Sequence, residues 1–430
     1  MRYSGLPFYG IAALLVAFLS GVRSQAQDAT PMPSVAPERL SVSEAVTRAK
    51  KYNPLPSSAQ ARLRGAAALA SGAARQPNPN LALARPFGSS NTGGFGEDVI
   101  ASQTLEPPDK IRYRTQAARA TRDAATADRL GADVDIILST KAAYFEALRA
   151  DAEVEQASNL LAATRRFADA AQIQFDAGDA PRSNVVRSQI ELSRAEQTLL
   201  AAQTDRDNRY ATLRSLIGLT EAMPLLLTDA LVYEPKTYDL SALLPLATQT
   251  RPDVLSARRL LAARGADVRG AKAQRQPDLV VEGRHATLFG NSGDQNTTLQ
   301  GDSVRVGVVF PIFDYGRIRA DVGNSQALRD EQEANLREAE RVARLDVETV
   351  FRERRQAVLL VESFQNGRLT RSKEILEMVN TGYANGANSY LEVIDAQRVY
   401  QLEQVEYARA LAAVNTATAR LERAVGGKLP

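Results

Sequence analysis

His285 is the only histidine of the chain, so any imidazole acid–base chemistry would have to be built on it. A Ser/His/Asp arrangement needs such a base. His285, however, stands inside a run with strand character, where a lone histidine is ordinarily structural or pore-lining. There is no cysteine, which excludes thiolate nucleophiles, disulfides and thiolate metal sites. Methionine occurs only at positions 1, 32, 223 and 378, too scattered for a soft-metal cluster. No glycine-rich phosphate loop of the Walker type is found. The chain therefore reads as no enzyme, with no catalytic residue, no cofactor and no metal site. What remains are carboxylates able to attract cations weakly. Glu392 and Asp395 stand out because a spacing of i and i+3 puts both on one helix face.

Those two carboxylates sit in the second copy of an internal repeat. Phe175-Asp-Ala-Gly178 matches Tyr383-Ala-Asn-Gly386 at an offset of 208. The same offset pairs Val185 with Val393, Gln189 with Gln397, Leu213 with Leu421 and Gly218 with Gly426. An offset of 198 pairs Asn53-Pro54 with Arg251-Pro252, Ala59 with Ala257, Gly72 with Gly270 and Pro79 with Pro277. Between these blocks the offset is 207, pairing Leu105 with Ile312 and Lys110 with Arg317. The expected organisation is a first repeat over 40–218, a linker over 219–239 and a second repeat over 240–430. The positions matching Glu392 and Asp395 are Asn184 and Arg187, so the acidic face belongs to the second repeat alone.

Each repeat predicts the same order of elements. A helix over 42–74, and again over 240–274, ends at prolines, which lack an amide and clash with the preceding turn. Two β-prone runs follow around a polar, glycine-rich loop: 81–87 and 99–105, then 279–288 and 303–313. Val304, Val306, Val308 and Phe310 alternate with Ser303, Arg305 and Gly307, the period of a strand with one apolar face. Pro86 weakens the first pair. A very long helix follows each pair, over 109–177 and 316–385, each about 100 Å long at 1.5 Å per residue. Leu130, Val134, Ile137, Tyr144 and Leu148 form a heptad stripe in the first, interrupted by Lys141. Tight turns at Gly178-Asp179-Ala180-Pro181 and Gly386-Ala387-Asn388 lead into return helices.

Composition agrees with a folded, exported protein. Apolar residues are 44% of the 430 and charged residues 24%, with alanine-rich helical stretches over 66–74 and 117–127. The net charge of +3, from 53 basic and 50 acidic residues, gives no reason to expect nucleic acid. Residues 1–26 read as a signal peptide: Arg2, an apolar core over 11–19, and Ser24-Gln25-Ala26 before the cut. A linker over 27–39 then leads to the first repeat. No cysteine follows the cut, so no N-terminal acylation on cysteine is expected. Four strands cannot close a membrane barrel, and lipid does not tolerate open sheet edges. If the strands lie in a membrane, several copies must share one barrel.

From about Leu40 to Leu429 the chain resembles the TolC-like outer-membrane efflux proteins. The resemblance rests on Leu40-Ser-Val-Ser-Glu-Ala45 before Asn53-Pro54, and on Gln76-Pro-Asn-Pro-Asn-Leu81 before the first strand. Phe310-Pro-Ile-Phe-Asp-Tyr-Gly-Arg317 after the last strand and Leu391-Glu-Val-Ile-Asp-Ala-Gln397 after the second turn complete it. Asp109 departs from it, standing where the family often has glycine. The resemblance implies a mainly α fold with a small β part, in which duplicated helical hairpins form an α-barrel. It also implies a homotrimer whose twelve strands share one transmembrane β-barrel. The expected location is the outer membrane of a Gram-negative bacterium, in contact with its lipid. The expected role is the passive exit duct of a tripartite pump for drugs or metal cations. The implied partners are a periplasmic adaptor and an inner-membrane transporter. A periplasmic coiled-coil scaffold without a pore is the competing reading. Adaptor docking is expected at Gly178, Asp179, Ala180 and Pro181, and at Gly386 and Ala387. The resemblance also places a gate here, lined by Glu392 and Asp395. Tyr383 would latch to Asn184 and Ser183 would face Asn388, a weak latch because both asparagines are neutral.

Overall fold

The computed structural model describes residues 38–84, 95–219, 223–292 and 295–430. The expected signal peptide, most of the first linker, Pro86 and most of the first β-loop lie outside them. The first repeat runs β1 (Glu38–Leu40), α1 (Val42–Tyr52), α2 (Pro54–Ala73), β2 (Asn80–Ala84), β3 (Phe95–Leu105), α3 (Pro108–Asp176) and α4 (Arg182–Ile217). After β4 (Leu225–Leu227), the second runs α5 (Leu240–Thr250), α6 (Pro252–Ala273), β5 (Asp278–Ser292), β6 (Gln295–Val309), α7 (Arg317–Ser363), α8 (Leu369–Ala384) and α9 (Tyr390–Ala424). The chain is mainly helical, as expected.

Four expectations need correcting. The helices expected over 42–74 and 240–274 are each two helices. Pro54 and Pro252 push the preceding residue into extended backbone, with ψ of 138° at Asn53 and 127° at Arg251. Each proline then opens the next helix, and the Asn53 side chain accepts from the Leu55 amide. The long helix expected over 316–385 is interrupted by a π-helical segment, Phe364–Arg368, whereas α3 runs unbroken for 69 residues. The second β-pair is longer toward its loop, since β5 and β6 take up most of the polar stretch read as loop. Cross-strand partners such as His285 with Asp302 and Thr287 with Gln300 accommodate those polar residues. At the other end, residues 310–313 leave the sheet; Pro311 has no amide to donate.

The strands form one antiparallel sheet in the order β2-β3-β5-β6, so β2 and β6 are its edges. Directly paired residues share a face, and the register sorts the side chains into two sets. Leu81, Leu83, Val99, Ala101, Leu105, Leu279, Val281, Val304, Val306 and Val308 fall on one face. Asp98, Ser102, Thr104, Glu282, Arg284, Ser303 and Arg305 fall on the other, where Arg284 reaches Asp98 at 2.5 Å. The apolar set is uncovered within the chain: Val306 is 65% exposed. Among the described residues no helix is long and apolar enough to cross a membrane.

The helical part is held by two cores that correspond residue by residue. Ala45, Ala49, Leu213 and Ile217 form the first with Leu40, Ile136, Tyr144 and Ala147. Leu243, Ala247, Leu421 and Val425 form the second with Val347 and Ala424. The sequence offsets of 198 and 208 map one set of four onto the other. A short parallel pair, β1 with β4, ties the start of the first repeat to the segment between repeats. The Tyr144 hydroxyl donates to the Leu40 carbonyl at 2.8 Å, and burial pushes its pKa up to about 12. Nothing in the sequence pattern marked this pair.

Gly218 and Gly426 close α4 and α9 at φ of +71° and +83°. Each also lies against the break in the preceding helix pair. A Cβ at Gly426 would stand 2.8 Å from the Thr250 and Arg251 backbone, which cannot swing away. Gly426→Ala should therefore lower stability by about 1–3 kcal/mol. Gly65→Ala, on an exposed helix face with open space around it, should raise it by about 0.5–1 kcal/mol. Thermal unfolding followed by the helical circular-dichroism signal compares the two, and equal midpoints would contradict the assignment.

Candidate functional site

The end of the helical hairpins opposite the sheet is built from two turns of identical construction. In the first, the Gly178 amide donates to the Phe175 carbonyl at 2.9 Å and the Asp179 amide to Gln174 at 2.8 Å. In the second, Gly386 donates to Tyr383 at 3.0 Å and Ala387 to Gly382 at 2.7 Å. This paired closure needs a left-handed residue after the helix, supplied by Gly178 at φ +85° and Gly386 at +76°. Gly178, Asp179, Pro181, Gly386 and Ala387 are exposed, with Ala180 half-buried. The expected docking residues thus lie together on two open turns.

The helices that leave the turns begin differently. Pro181 starts α4 without a side-chain cap. Ser389 starts α9 with a capping box: its hydroxyl accepts from the Glu392 amide while Glu392 Oε2 accepts from the Ser389 amide at 2.6 Å. The Ser389 backbone amide, then its hydroxyl, hold the Glu392 pKa below the usual carboxylate range. Asn388 Nδ2 reaches the same oxygen at 3.4 Å. The Ser-x-x-Glu spacing that signals this box was readable in the sequence and was missed.

Glu392 and Asp395 are both exposed on the face of α9 that the chain leaves uncovered, together with Val399 and Leu402. Asp395 stands 3.8 Å from Arg398, which also meets Glu191 of α4 at 3.2 Å. The gate residues inferred from the resemblance are only partly brought together within the chain. Tyr383 donates to Gln174 of α3 at 3.3 Å, not to Asn184, and its ring lies 6.4 Å from Tyr390. Asn184 donates its amide to the Pro181 carbonyl at 3.0 Å inside its own turn. Ser183 is exposed and Asn388 packs over Gly382. The Tyr383–Asn184 and Ser183–Asn388 pairs are not formed inside one chain.

Farther from the turns, buried charges fasten the two hairpins together. Arg149 is 8% exposed and binds Glu153 at 2.6 Å, Asp205 at 2.8 Å and Glu146 at 3.0 Å. Burial opposes its charge, but the three carboxylates outweigh burial and raise its pKa. Glu153 also takes Arg409 of α9 at 2.8 Å, and Lys141 takes Glu422 at 2.5 Å. These networks explain the perturbed groups structurally. They provide neither a nucleophile nor a base beside a closed cavity.

His285 lies in β5 on the apolar face of the sheet, toward its loop end, with Nδ1 2.6 Å from Asp302 Oδ1. The strand register rules out the pore-lining alternative for it and leaves a cross-strand pair. Among the described residues no group of three or more His, Asp or Glu could hold a metal ion.

Comparisons with known proteins agree with this geometry. The family described as Outer membrane efflux protein matches residues 45–219 and 243–427, both repeats. The cobalt-zinc-cadmium resistance protein CzcC of Cupriavidus metallidurans is 25% identical over 329 residues, covering 75% of each protein. The outer membrane protein OprJ of Pseudomonas aeruginosa is 27% identical over 189 residues, covering 42% of this chain and only 37% of OprJ. Among solved structures, the outer-membrane channel OprN has a TM-score of 0.77 at 21% identity, covering 90% of each chain. At that identity the likeness speaks for the fold. The family match over both repeats, set on that fold, shows that this chain belongs to the outer membrane efflux protein family.

Proposed function

We propose that three copies of this chain form a gated duct from periplasm to exterior. It would pass drugs or metal cations delivered by a periplasmic adaptor and an inner-membrane transporter. The observation that carries the reading is the sheet: four strands, one apolar face and two unpaired edges. An apolar face of that size suits lipid, and unpaired edges in lipid require neighbours. The opposite face pairs Arg284 with Asp98 and places Arg305 3.9 Å from Glu282, charges suited to a water-filled interior. A periplasmic scaffold without a pore gives the apolar face no partner. The family's proteins are efflux channels of the outer membrane, not enzymes, and transport by this chain draws its energy from the proteins it joins.

Selection within the duct falls to its entrance. The exposed Glu392 and Asp395, repeated around a three-fold axis, would give acidic rings that favour cations. Neutral hydrogen bonds at Asn184 and Asn388 would contribute about 1 kcal/mol each to keeping the entrance shut. The metal-resistance relative fits a cation cargo, while nothing in the barrel lining distinguishes cations from drugs.

Three outcomes follow. Val306→Arg places a charge on the lipid face, 65% exposed in the chain and so not a buried core position. It should cost about 2–4 kcal/mol in urea unfolding from lipid vesicles. A change within about 0.5 kcal/mol, as at a water-exposed site, would contradict the membrane assignment. Glu392→Gln with Asp395→Asn should lower cation selectivity and weaken divalent block in single-channel recordings. Because the Glu392 pKa is depressed, its charge and its share of the capping box persist above the folded-state pKa. They are lost only as pH falls through that value, so selectivity should survive mild acidification. Unchanged conductance, selectivity and block would remove both residues from the entrance. Ala180→Trp and Ala387→Trp should abolish efflux in cells while trimers persist by native mass spectrometry. Unaltered drug and metal tolerance would place docking elsewhere.

A further inference from the structure

The repeat offset changes by one residue along the second long helix, from 207 at Lys110–Arg317 to 208 at Phe175–Tyr383. One residue must therefore be inserted in the second repeat. The structure locates it. At an offset of 207, buried Ala157 matches buried Phe364 and Asn159 matches Asn366. At 208, Leu161 matches Leu369 and buried Thr164 matches buried Ser372. Gly367 is the residue left over, and it lies inside the π-helical segment Phe364–Arg368. A π-turn holds one residue more than an α-turn, so it absorbs an insertion while both flanks keep their faces.

The local geometry is that of a joint. Asn366 has ψ of 24° and Gly367 a φ of +100°, both outside helical values. Glycine is the residue that adopts the latter without strain. One side of the joint is clamped. Phe364 is 2% exposed among Val361, Leu411 and Val414, with the Tyr407 ring at 5.5 Å. The Arg368 guanidinium lies 4.5 Å over the Phe364 ring and reaches Glu403 of α9 through two nitrogens, at 2.5 and 2.8 Å. Beyond the clamp the chain is more loosely held. α7 packs on α5, α6 and α9, whereas α8 packs chiefly on α9. Below the clamp, the polar contacts described between this limb and the first hairpin are Tyr383–Gln174 and Arg398–Glu191, all exposed or half-buried. The first repeat has no such joint, because α3 is continuous through the matching positions.

We propose that the inserted Gly367 makes the segment Phe364–Arg368 the hinge on which α8 and the second turn move. The Arg368–Glu403–Phe364 clamp is its fixed side, and the first hairpin is the stationary wall. α9 follows by bending smoothly, as long helices do. A tilt of about 10° at the hinge carries the far end of the 16-residue α8 by about 4 Å. That suffices to break the Tyr383–Gln174 contact. The hinge rests on the gate reading above, but its test does not use ion selectivity.

Deleting Gly367 should restore an uninterrupted helix in register, as in α3. The chain has no cysteine, so Ala387→Cys can carry the only spin label. In trimers checked by native mass spectrometry, the parent should give tip-to-tip distances spread over two populations, separated by about 4 Å or more. The deletion should leave one. A single narrow population in the parent, or an unchanged spread after deletion, overturns the hinge. If the deleted chain fails to assemble, Gly367→Ala decides: alanine is strained at φ +100° and should deplete the displaced population, and no depletion overturns the proposal. Failure of the Glu392/Asp395 recordings alone would discard the acidic rings and leave the hinge standing.

Discussion

The two unpaired edges of the four-stranded sheet constrain everything else in this protein. In hydrocarbon an unsatisfied backbone amide or carbonyl costs several kcal/mol, and β2 and β6 each present a row of them. The apolar face formed by Leu81, Leu83, Val304, Val306 and Val308 belongs in that hydrocarbon. Both demands are met together when the β6 edge of one copy joins the β2 edge of the next and the circle closes. Closure brings the helical hairpins of neighbouring copies side by side. The exposed stripes of α4, α8 and α9 then face either other copies or water. A duct entrance is a property of that ring and not of the single chain. This is why Tyr383, Asn184, Ser183 and Asn388 do not form their inferred pairs within one copy.

Duplication has left a nearly symmetric frame with its asymmetry concentrated in one place. The cores around Leu213 and Leu421 are the same core used twice, and the two turns close with the same hydrogen bonds. The second repeat alone carries the capping box of Ser389 and Glu392, the acidic face and the inserted Gly367. The buried Arg149 network and the Lys141–Glu422 pair hold the first hairpin to α9 nearer the sheet. Removing one partner from such a network leaves a buried charge uncompensated. That region is therefore suited to stay rigid while the turn end moves.

Much of this was legible in the residues. The repeat offsets, the two turns at Gly178 and Gly386 and the period of Val304, Val306 and Val308 carried the architecture. The breaks at Asn53-Pro54 and Arg251-Pro252 were signalled by proline and passed over because helical periodicity continues on both sides. The longer second hairpin was hidden by its polar residues, which read as loop until cross-strand partners such as Asp302 for His285 are known. The β1–β4 pair could not be read, because three-residue strands carry no period. The π-segment was written in the one-residue change of offset, a signal that takes its meaning only once the helix is known to continue. The entrance was legible only as residue types, since its contacts depend on other copies.

The shared barrel is tested most directly by joining its seams. One cysteine in β2, at Leu81, and one in β6, at Val308, give a chain whose only thiols lie on the two edges. Oxidation in the membrane, with neighbouring positions scanned to find the seam register, should yield a covalent ladder on denaturing gels that ends at three chains. Chains that remain single at every register, with the protein inserted and folded, would contradict the closed ring on which the account depends.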